Sequence, residues 1–133
     1  MHIKQYADRI KVIGPKESLF GALNLLINTV LYSIHSFDRW HIRAVYQFRP
    51  YKSQVVEIAN STQPDTAIEI GCGLGDILSR IHAKNKLGID IDSGAIRSAK
   101  FLHRQNIIFK QGSLDKARDI AKCNGIKNAD LLI

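Results

Sequence analysis

The segment that most constrains this chain is an apolar stretch that runs into a glycine-rich loop, residues 67–76, with the sequence A-I-E-I-G-C-G-L-G-D. The apolar residues at its start are typical of a buried strand. Three glycines at alternating positions let the backbone turn sharply and approach a ligand that a side chain would exclude. We predict a nucleotide-cofactor loop, followed by a helix over residues 76–83 whose N-terminus faces the ligand.

The spacing of the loop glycines separates two classes of cofactor. A dinucleotide fingerprint, G-x-G-x-x-G, needs glycine where this chain has Asp76, and a carboxylate there would repel a pyrophosphate. The observed order is E-x-G-x-G-x-G, formed by Glu69, Gly71, Gly73 and Gly75. This order resembles motif I of the class I S-adenosylmethionine-dependent methyltransferases. The alternative interpretation is an ordinary strand-to-helix turn with incidental glycines.

The resemblance implies a set of cofactor contacts in the loop. In that family the loop passes under the methionine moiety of S-adenosyl-L-methionine, and an acid near the loop helps to hold the ammonium group. Carried onto this chain, Glu69 supplies the acid, and Gly71, Cys72, Gly73 and Gly75 form the loop. Cys72 is interpreted as a small residue in a tight turn, since the sequence identifies no base that would make it a nucleophile.

A second apolar stretch, residues 86–91, predicts the next strand. Asp90 lies where the carboxyl end of this strand should emerge, and an acid there can accept both ribose hydroxyls of an adenosine. The run G-I-D-I-D-S-G-A-I-R-S-A resembles motif II of the same methyltransferase family. We assign Asp90, with the adjacent Ile91, to the cofactor, and Asp92 or Ser93 to the N-cap of a helix over residues 95–103. The reverse assignment of the two aspartates stays open.

A third strand is predicted over residues 106–111, and it is followed by Gly112 and Ser113. Many members of the resembled family carry Gly-Asp at this point, and that Asp hydrogen-bonds the adenine amine. Here the residue is Ser113, so its hydroxyl or the local backbone would have to accept this hydrogen bond. Three apolar side chains are candidates either to clamp the adenine ring or to pack in the core: Ile107, Ile108 and Leu114.

Further along the chain, residues 115–123 predict a helix that Asn124 and Gly125 end, and residues 129–133 predict a fourth strand. Alternating strands and helices predict an α/β fold, a Rossmann-like open parallel sheet in a three-layer αβα arrangement. The resembled family completes this sheet with seven strands, so we expect an incomplete domain that lacks the usual acceptor wall. The exposed sheet edge also predicts aggregation or a homodimer. Asp130 is interpreted either as the family's strand-start acid or as a solvated turn residue.

Composition and charge restrict the class of partner. Residues 1–64 contain 8 Lys and Arg against 4 Asp and Glu, and residues 65–133 contain 11 against 8, so the net charge of +7 is spread along the chain. A compact basic run and aromatic residues between Lys or Arg are both missing, which makes nucleic acid an unlikely partner. The two cysteines have neither disulfide nor metal-ligand spacing, so we predict no metal and a cytoplasmic location.

The N-terminal part of the chain contains a long apolar segment, residues 18–37, without Lys, Arg, Asp or Glu. Asn24, Asn28 and His35 fall on one helical face, and leucines with other apolar residues fall on another. We predict a buried or interfacial amphipathic helix, with peripheral membrane attachment as the alternative. Three residues that follow it, Trp40, His41 and Tyr51, are candidates for a lid over cofactor or acceptor. The alternative is that Trp40 is a core anchor and His41 a surface residue.

These observations predict a helical extension over residues 1–49 and an S-adenosylmethionine-binding domain over residues 50–133, where Pro50 begins a helix. The resemblance implies methyl transfer to an unidentified acceptor, with a small molecule, glycan or lipid intermediate favoured over nucleic acid. The sequence identifies no catalytic residue, because the sulfonium is already activated and alignment is the main requirement. The alternative function is a truncated, catalytically silent cofactor-binding module.

Overall fold

The computed structural model describes residues 12–104 and 106–133, so residues 1–11 of the predicted extension lie outside the described part. The strands are β1 (Thr66–Ile70), β2 (Asn85–Asp90), β3 (Ile108–Gln111) and β4 (Leu131–Leu132). The helices are α1 (Pro15–His35), α2 (Trp40–Arg43), α3 (Pro50–Ser61), α4 (Ser93–Leu102) and α5 (Ala117–Cys123). Short 3-10 turns cover Tyr46–Phe48, Leu78–Arg80 and Leu114–Lys116.

The strands of the described residues form one four-stranded sheet in the order β3-β2-β1-β4. All pairings are parallel, with Ile68 opposite Leu87 in β2 and opposite Leu132 in β4. The chain moves outward from β1 to β3 on one side and then crosses to place β4 on the other side of β1. The order of the strands therefore reverses between β1 and β4, where open α/β sheets bind ligands. The predicted α/β, Rossmann-like open parallel sheet is confirmed.

Apolar side chains from helices cover both faces of the sheet. On one face, Phe109 of β3 packs in a cluster with Ile96 and Ala99 of α4 and with Ala59 of α3. On the other face, the cluster consists of Ile68, Leu87, Ile89, Ala121 and Ile126, which joins the sheet to α5. The domain therefore has the three layers that the alternation of strands and helices predicted.

Two predicted helix starts are confirmed. Pro50 occupies the first turn of α3, where its missing N–H costs no hydrogen bond. Asp92 caps α4, because its carboxylate accepts hydrogen bonds from the N–H groups of Gly94 and Ala95 at 2.8 and 3.1 Å. At the end of α5, Gly125 has φ +80°, the left-handed conformation that glycine adopts most easily.

The predicted helix over residues 76–83 is wrong. Only the 3-10 turn Leu78–Arg80 forms, and Ile81 is already extended. The side chain of Asn60 in α3 donates to the Arg80 carbonyl at 3.1 Å and accepts from the His82 N–H at 2.8 Å. These bonds direct the chain into β2 before a second helical turn can form. A ligand at the loop therefore does not face the N-terminus of a long helix.

Other predicted elements have the correct type and different bounds. The predicted helix over residues 115–123 is a 3-10 turn followed by α5, and the strand over 129–133 shortens to β4. Asp130 precedes β4, and its carboxylate accepts hydrogen bonds from the backbone N–H groups of Asp65 and Thr66 at 3.1 and 2.9 Å. This residue is therefore a turn residue that fixes the start of β1.

Candidate functional site

The glycine-rich loop lies at the carboxyl ends of β1 and β2. The N–H groups of Gly71 and Cys72 both donate to the carbonyl oxygen of Ile89, at 2.7 and 3.1 Å. Gly71, Gly73 and Gly75 have φ values of +71°, +52° and +80°. Residues that carry a side chain rarely adopt this left-handed backbone conformation, so the sharp turn that the sequence predicts depends on these glycines.

The three loop glycines differ in what lies above each Cα atom. A Cβ atom at Gly71 would have no heavy atom within 4 Å, whereas one at Gly73 would lie 2.9 Å from the imidazole of His41. At Gly75 it would lie 2.8 Å from the ring of Phe109. Gly73 and Gly75 therefore make room for side chains of the protein itself. Gly71 alone among them leaves open space that a ligand can occupy.

Glu69 projects from β1 beneath the loop and is only 5% exposed. Its carboxylate oxygen accepts a hydrogen bond from the N–H of Leu78 at 3.1 Å. Removal from water raises the pKa of Glu69 from 4.5 to about 8, and this effect outweighs the opposing hydrogen bond and the attraction of Lys52. Near neutral pH this carboxyl group is therefore largely protonated, and a bound cation would favour its ionised form.

Lys52 is a buried cation that the sequence did not single out as a site residue. Its ammonium group donates to the carbonyl oxygen of Ala44 and lies 2.8 Å from a carboxylate oxygen of Asp76. The lysine occupies the first turn of α3, where the helix dipole disfavours a positive charge. A lysine at this unfavourable position, three residues after Arg49 in R-P-Y-K, indicates that an acid elsewhere in the chain pairs with it. This was the sequence signal that could have identified Lys52.

Asp90 lies at the end of β2 and is 6% exposed. One carboxylate oxygen accepts from the N–H of Gly73 at 2.7 Å, and the other accepts from the N–H of Asp92 at 2.9 Å. An ionised carboxylate offers about four lone-pair sites, so each oxygen can accept a further hydrogen bond. Asp92 instead caps α4 and accepts from the backbone N–H of Asp38 at 2.6 Å. The two aspartates therefore have different structural roles.

The segment between α1 and α3 covers the loop and encloses a small cavity of about 70 Å³. The cavity is lined by charged, aromatic and loop residues, including Lys52, Glu69, Asp76, His41 and Gly71. Of the predicted lid residues, Trp40 is 52% exposed and Tyr51 48% exposed, whereas His41 is buried. The alternative with Trp40 as a core anchor and His41 on the surface is wrong, because the imidazole packs onto Gly73.

The remaining predicted cofactor residues follow β2 and β3 at the same edge. Ile91 and Leu114 are large apolar side chains that are 73% and 71% exposed. The hydroxyl of Ser113 donates to the carboxylate of Asp115, so it can still accept a hydrogen bond. Ile107 and Ile108, by contrast, lie at the start of β3, at the opposite edge of the sheet, so the prediction that either clamps the adenine ring is wrong. Ile107 packs against the core.

Cys72 lies inside the loop and is buried. Burial raises the pKa of its thiol well above the ordinary range, and at the high pH where the thiol would titrate the carboxylates of Glu69 and Asp90 raise it further. The thiol therefore stays protonated and has no nucleophilic character. Within residues 12–104 and 106–133, His, Cys, Asp and Glu side chains form no group of three that could hold a metal ion.

Comparison of the sequence with protein-family models and with curated proteins gives no match. Function must therefore be argued from the geometry of this edge of the sheet.

Proposed function

We propose that the chain binds S-adenosylmethionine at the glycine-rich loop and serves in methyl transfer from that cofactor. One observation carries the proposal. A buried acid, Glu69, an open glycine, Gly71, and a second buried acid, Asp90, meet at the carboxyl edge of a parallel sheet, beside the point where strand order reverses. This edge is where open α/β sheets bind nucleotide cofactors.

The charges beneath the loop suit an amino-acid group. The ammonium of Lys52 complements a carboxylate, and the acids Glu69 and Asp76 complement an ammonium or sulfonium. Binding of a positive ligand beside Glu69 would lower the pKa of its carboxyl group, so cofactor binding near neutral pH should release a proton. This linkage distinguishes the proposed site from one that binds an anionic phosphate.

The adenosine half would lie along the same edge. Asp90 has acceptor capacity left for ribose hydroxyls, and the exposed side chains of Ile91 and Leu114 can contact the faces of the adenine ring. Ser113 offers a hydroxyl acceptor for the adenine amine.

The cavity is smaller than such a ligand needs. It measures about 70 Å³, whereas pockets for ligands of this size are about 300 to 1,000 Å³. The imidazole of His41 packs onto Gly73, and the backbone N–H of Asp38 donates to the carboxylate of Asp92. These two contacts hold the covering segment closed over the loop. Binding would therefore require this segment, with α2, to move away from the carboxyl edge, as a lid does.

When bound, the cofactor supplies an activated methyl group on its sulfonium. The residues of this chain then bind, orient and exclude water, and none of the described side chains is assigned as a catalytic base. We propose a small molecule, glycan or lipid intermediate as the acceptor.

A calorimetric titration with S-adenosylmethionine, its demethylated product and NAD tests the proposal. Gly71→Ala should abolish detectable cofactor binding, because a methyl group would enter the open space. Gly125→Ala is the matched control, since Gly125 has φ +80° and equally open surroundings at a distance from the loop. Tighter binding of NAD, or equal cofactor binding by the two variants, would reject the proposal.

A second assay separates the enzyme from a silent binding module. Incubation with labelled S-adenosylmethionine and a cell extract should transfer label to an acceptor if the protein is a methyltransferase. Cofactor binding without any transfer would favour the silent module.

A further inference from the structure

Helix α1 docks on the protein through a mixed polar and apolar face. Leu31 is 3% exposed and packs with Phe37 and Leu74. Asn28 is 5% exposed and donates to the carbonyl oxygens of His41 and Ile42 at 3.5 Å each. Asn24 bonds Gln47 at 3.0 Å, and His35 bonds the fully buried Ser98 at 2.8 Å. Polar contacts therefore share the docking of α1 with the Leu31 side chain.

The opposite side of α1 presents large apolar side chains to solvent. They recur three or four positions apart and are each at least half exposed: Leu19, Leu23, Leu26, Val30 and Ile34. Together with Phe101 of α4, which is 54% exposed, we call them the apolar face. Leu26, Val30, Ile34 and Phe101 line one almost purely apolar groove. Such a contiguous exposed patch is characteristic of an interaction surface.

Basic side chains border the apolar face on the side of α4. The guanidinium of Arg97 donates to the carbonyl oxygen of His35 at 2.9 Å, and that of Arg104 lies 5.2 Å from the ring centroid of Phe101. Lys100 is exposed on the same side of α4, three positions from Arg97. The acids of these two helices are confined to Glu17 in the first turn of α1 and Asp92 at the N-cap of α4, and residues 18–37 and 93–102 contain none. The border is therefore positively charged without neutralising acids on these two segments.

We propose that the apolar face docks on an anionic lipid bilayer, with α1 lying parallel to the membrane surface. The apolar side chains would enter the boundary between headgroups and acyl chains, and Arg97, Lys100 and Arg104 would contact the lipid phosphates. Long basic side chains suit this position, since their stems cover apolar surface while the charged ends reach the headgroups. The proposal does not depend on cofactor binding.

A membrane-spanning orientation fits α1 less well. Among the described residues, α1 is the one helix long and apolar enough to cross a bilayer. Spanning would carry Asn24, Asn28 and His35 into hydrocarbon and break their bonds to the domain, which leaves polar groups unsatisfied where no water can replace the lost partners. Lying in the interface keeps those bonds and buries only the apolar face.

A second copy of the chain is also a weaker occupant. It would cover the apolar face with an identical face, and α1 and α4 bring no acid from residues 18–37 or 93–102 to pair with the basic border. Anionic lipid phosphates supply that missing charge. Charge complementarity therefore favours the bilayer.

Vesicle flotation of the whole chain tests the proposal. We expect the protein to float with vesicles of equal parts phosphatidylcholine and phosphatidylglycerol, to bind phosphatidylcholine alone far less, and to be released partly by salt. Leu26→Gln with Val30→Gln should weaken binding by about tenfold or more. Ser61→Gln, an exposed polar position at the end of α3 and outside the apolar face, is the matched control.

The basic border has its own matched pair. Lys100→Gln should weaken binding to the anionic vesicles about fivefold, whereas Lys110→Gln, which is also exposed and lies on β3, should not. Circular dichroism should show native helix content for all four variants. Failure to float, or flotation unchanged by the double substitution, would overturn the proposal. So would a dimer, detected by light scattering, that the double substitution dissociates while vesicles remain unbound.

Discussion

The sheet is covered by apolar side chains on both faces, whereas helix α1 is docked by a mixed polar and apolar face. Around the sheet, apolar residues such as Phe109 and Leu78 are almost fully buried and contact one another. In α1, Asn28 is buried and Leu26 is 61% exposed. In α1 the pattern alone does not say which side faces the protein, because Asn28 and Leu31 are both buried while Leu26 is exposed. The difference teaches that polar contacts can help to dock a helix whose most apolar side stays exposed.

Core truncation gives the largest expected contrast between the two regions. Phe109→Ala should lower the free energy of unfolding by about 3 to 5 kcal/mol, because it leaves a cavity among Gly75, Cys72 and α4. Leu26→Ala should change it by less than about 0.5 kcal/mol, since the side chain is already exposed. Urea denaturation measures both. A comparable loss at the two positions would show that α1 is packed against something in the free protein.

The buried acid under the loop should make stability depend on pH. The folded state holds the Glu69 proton up to about pH 8, whereas the ordinary pKa of 4.5 applies to the unfolded chain. Between these values the folded state binds more protons, so the free energy of unfolding should fall as pH rises, by about 4 kcal/mol.

Glu69→Gln removes this titration and is the control. The difference in stability between wild type and Glu69→Gln, measured by urea denaturation across this pH range, should grow with pH in favour of the variant. A constant difference would show that Glu69 is ionised throughout, with an ordinary pKa.

The inward polar face of α1 should contribute a smaller amount. Asn28→Ala leaves the carbonyl oxygens of His41 and Ile42 without their side-chain donor, and we expect a loss of about 1 to 2 kcal/mol. Ser33→Ala, on the exposed side of the same helix, should have little effect. Thermal unfolding of the two variants checks this. Equal midpoints would mean that the polar docking contacts contribute nothing to stability.

The strands and the cap of α4 were predictable because their signals are local. Apolar runs mark β1 and β2, and Asp92 bonds N–H groups only two and three residues away. The missing helix after the loop was not predictable, since Asn60, about twenty positions earlier, captures Arg80 and His82. Hydrogen bonds from the side chain of another element do not change the hydrophobic periodicity of the segment that receives them. The sequence pattern therefore does not reveal them.

The candidate site divides in the same way. The acids and glycines of the loop were readable from spacing, and the structure places Glu69 and Asp90 at one edge of the sheet. The sequence does not identify Lys52 as part of the site, because its partners, Ala44 and Asp76, come from separate segments before and after it in the chain. The sequence leaves the position of His41 open between a lid and the surface, because no nearby residue indicates that Gly73 makes room for its ring.

The central position of β1 bears on the order in which the chain assembles. Thr66 pairs with Asn85, whereas Ala67 pairs with Leu131, so the second contact closes a much longer stretch of chain. Chain entropy makes that closure about 1 kcal/mol more costly, and β4 offers only two residues of pairing in return. We expect β1 and β2 to associate before β4. In native-state hydrogen exchange, the Ile70 amide, which donates to Ile133, should therefore lose protection before the Gly71 amide, which donates to Ile89.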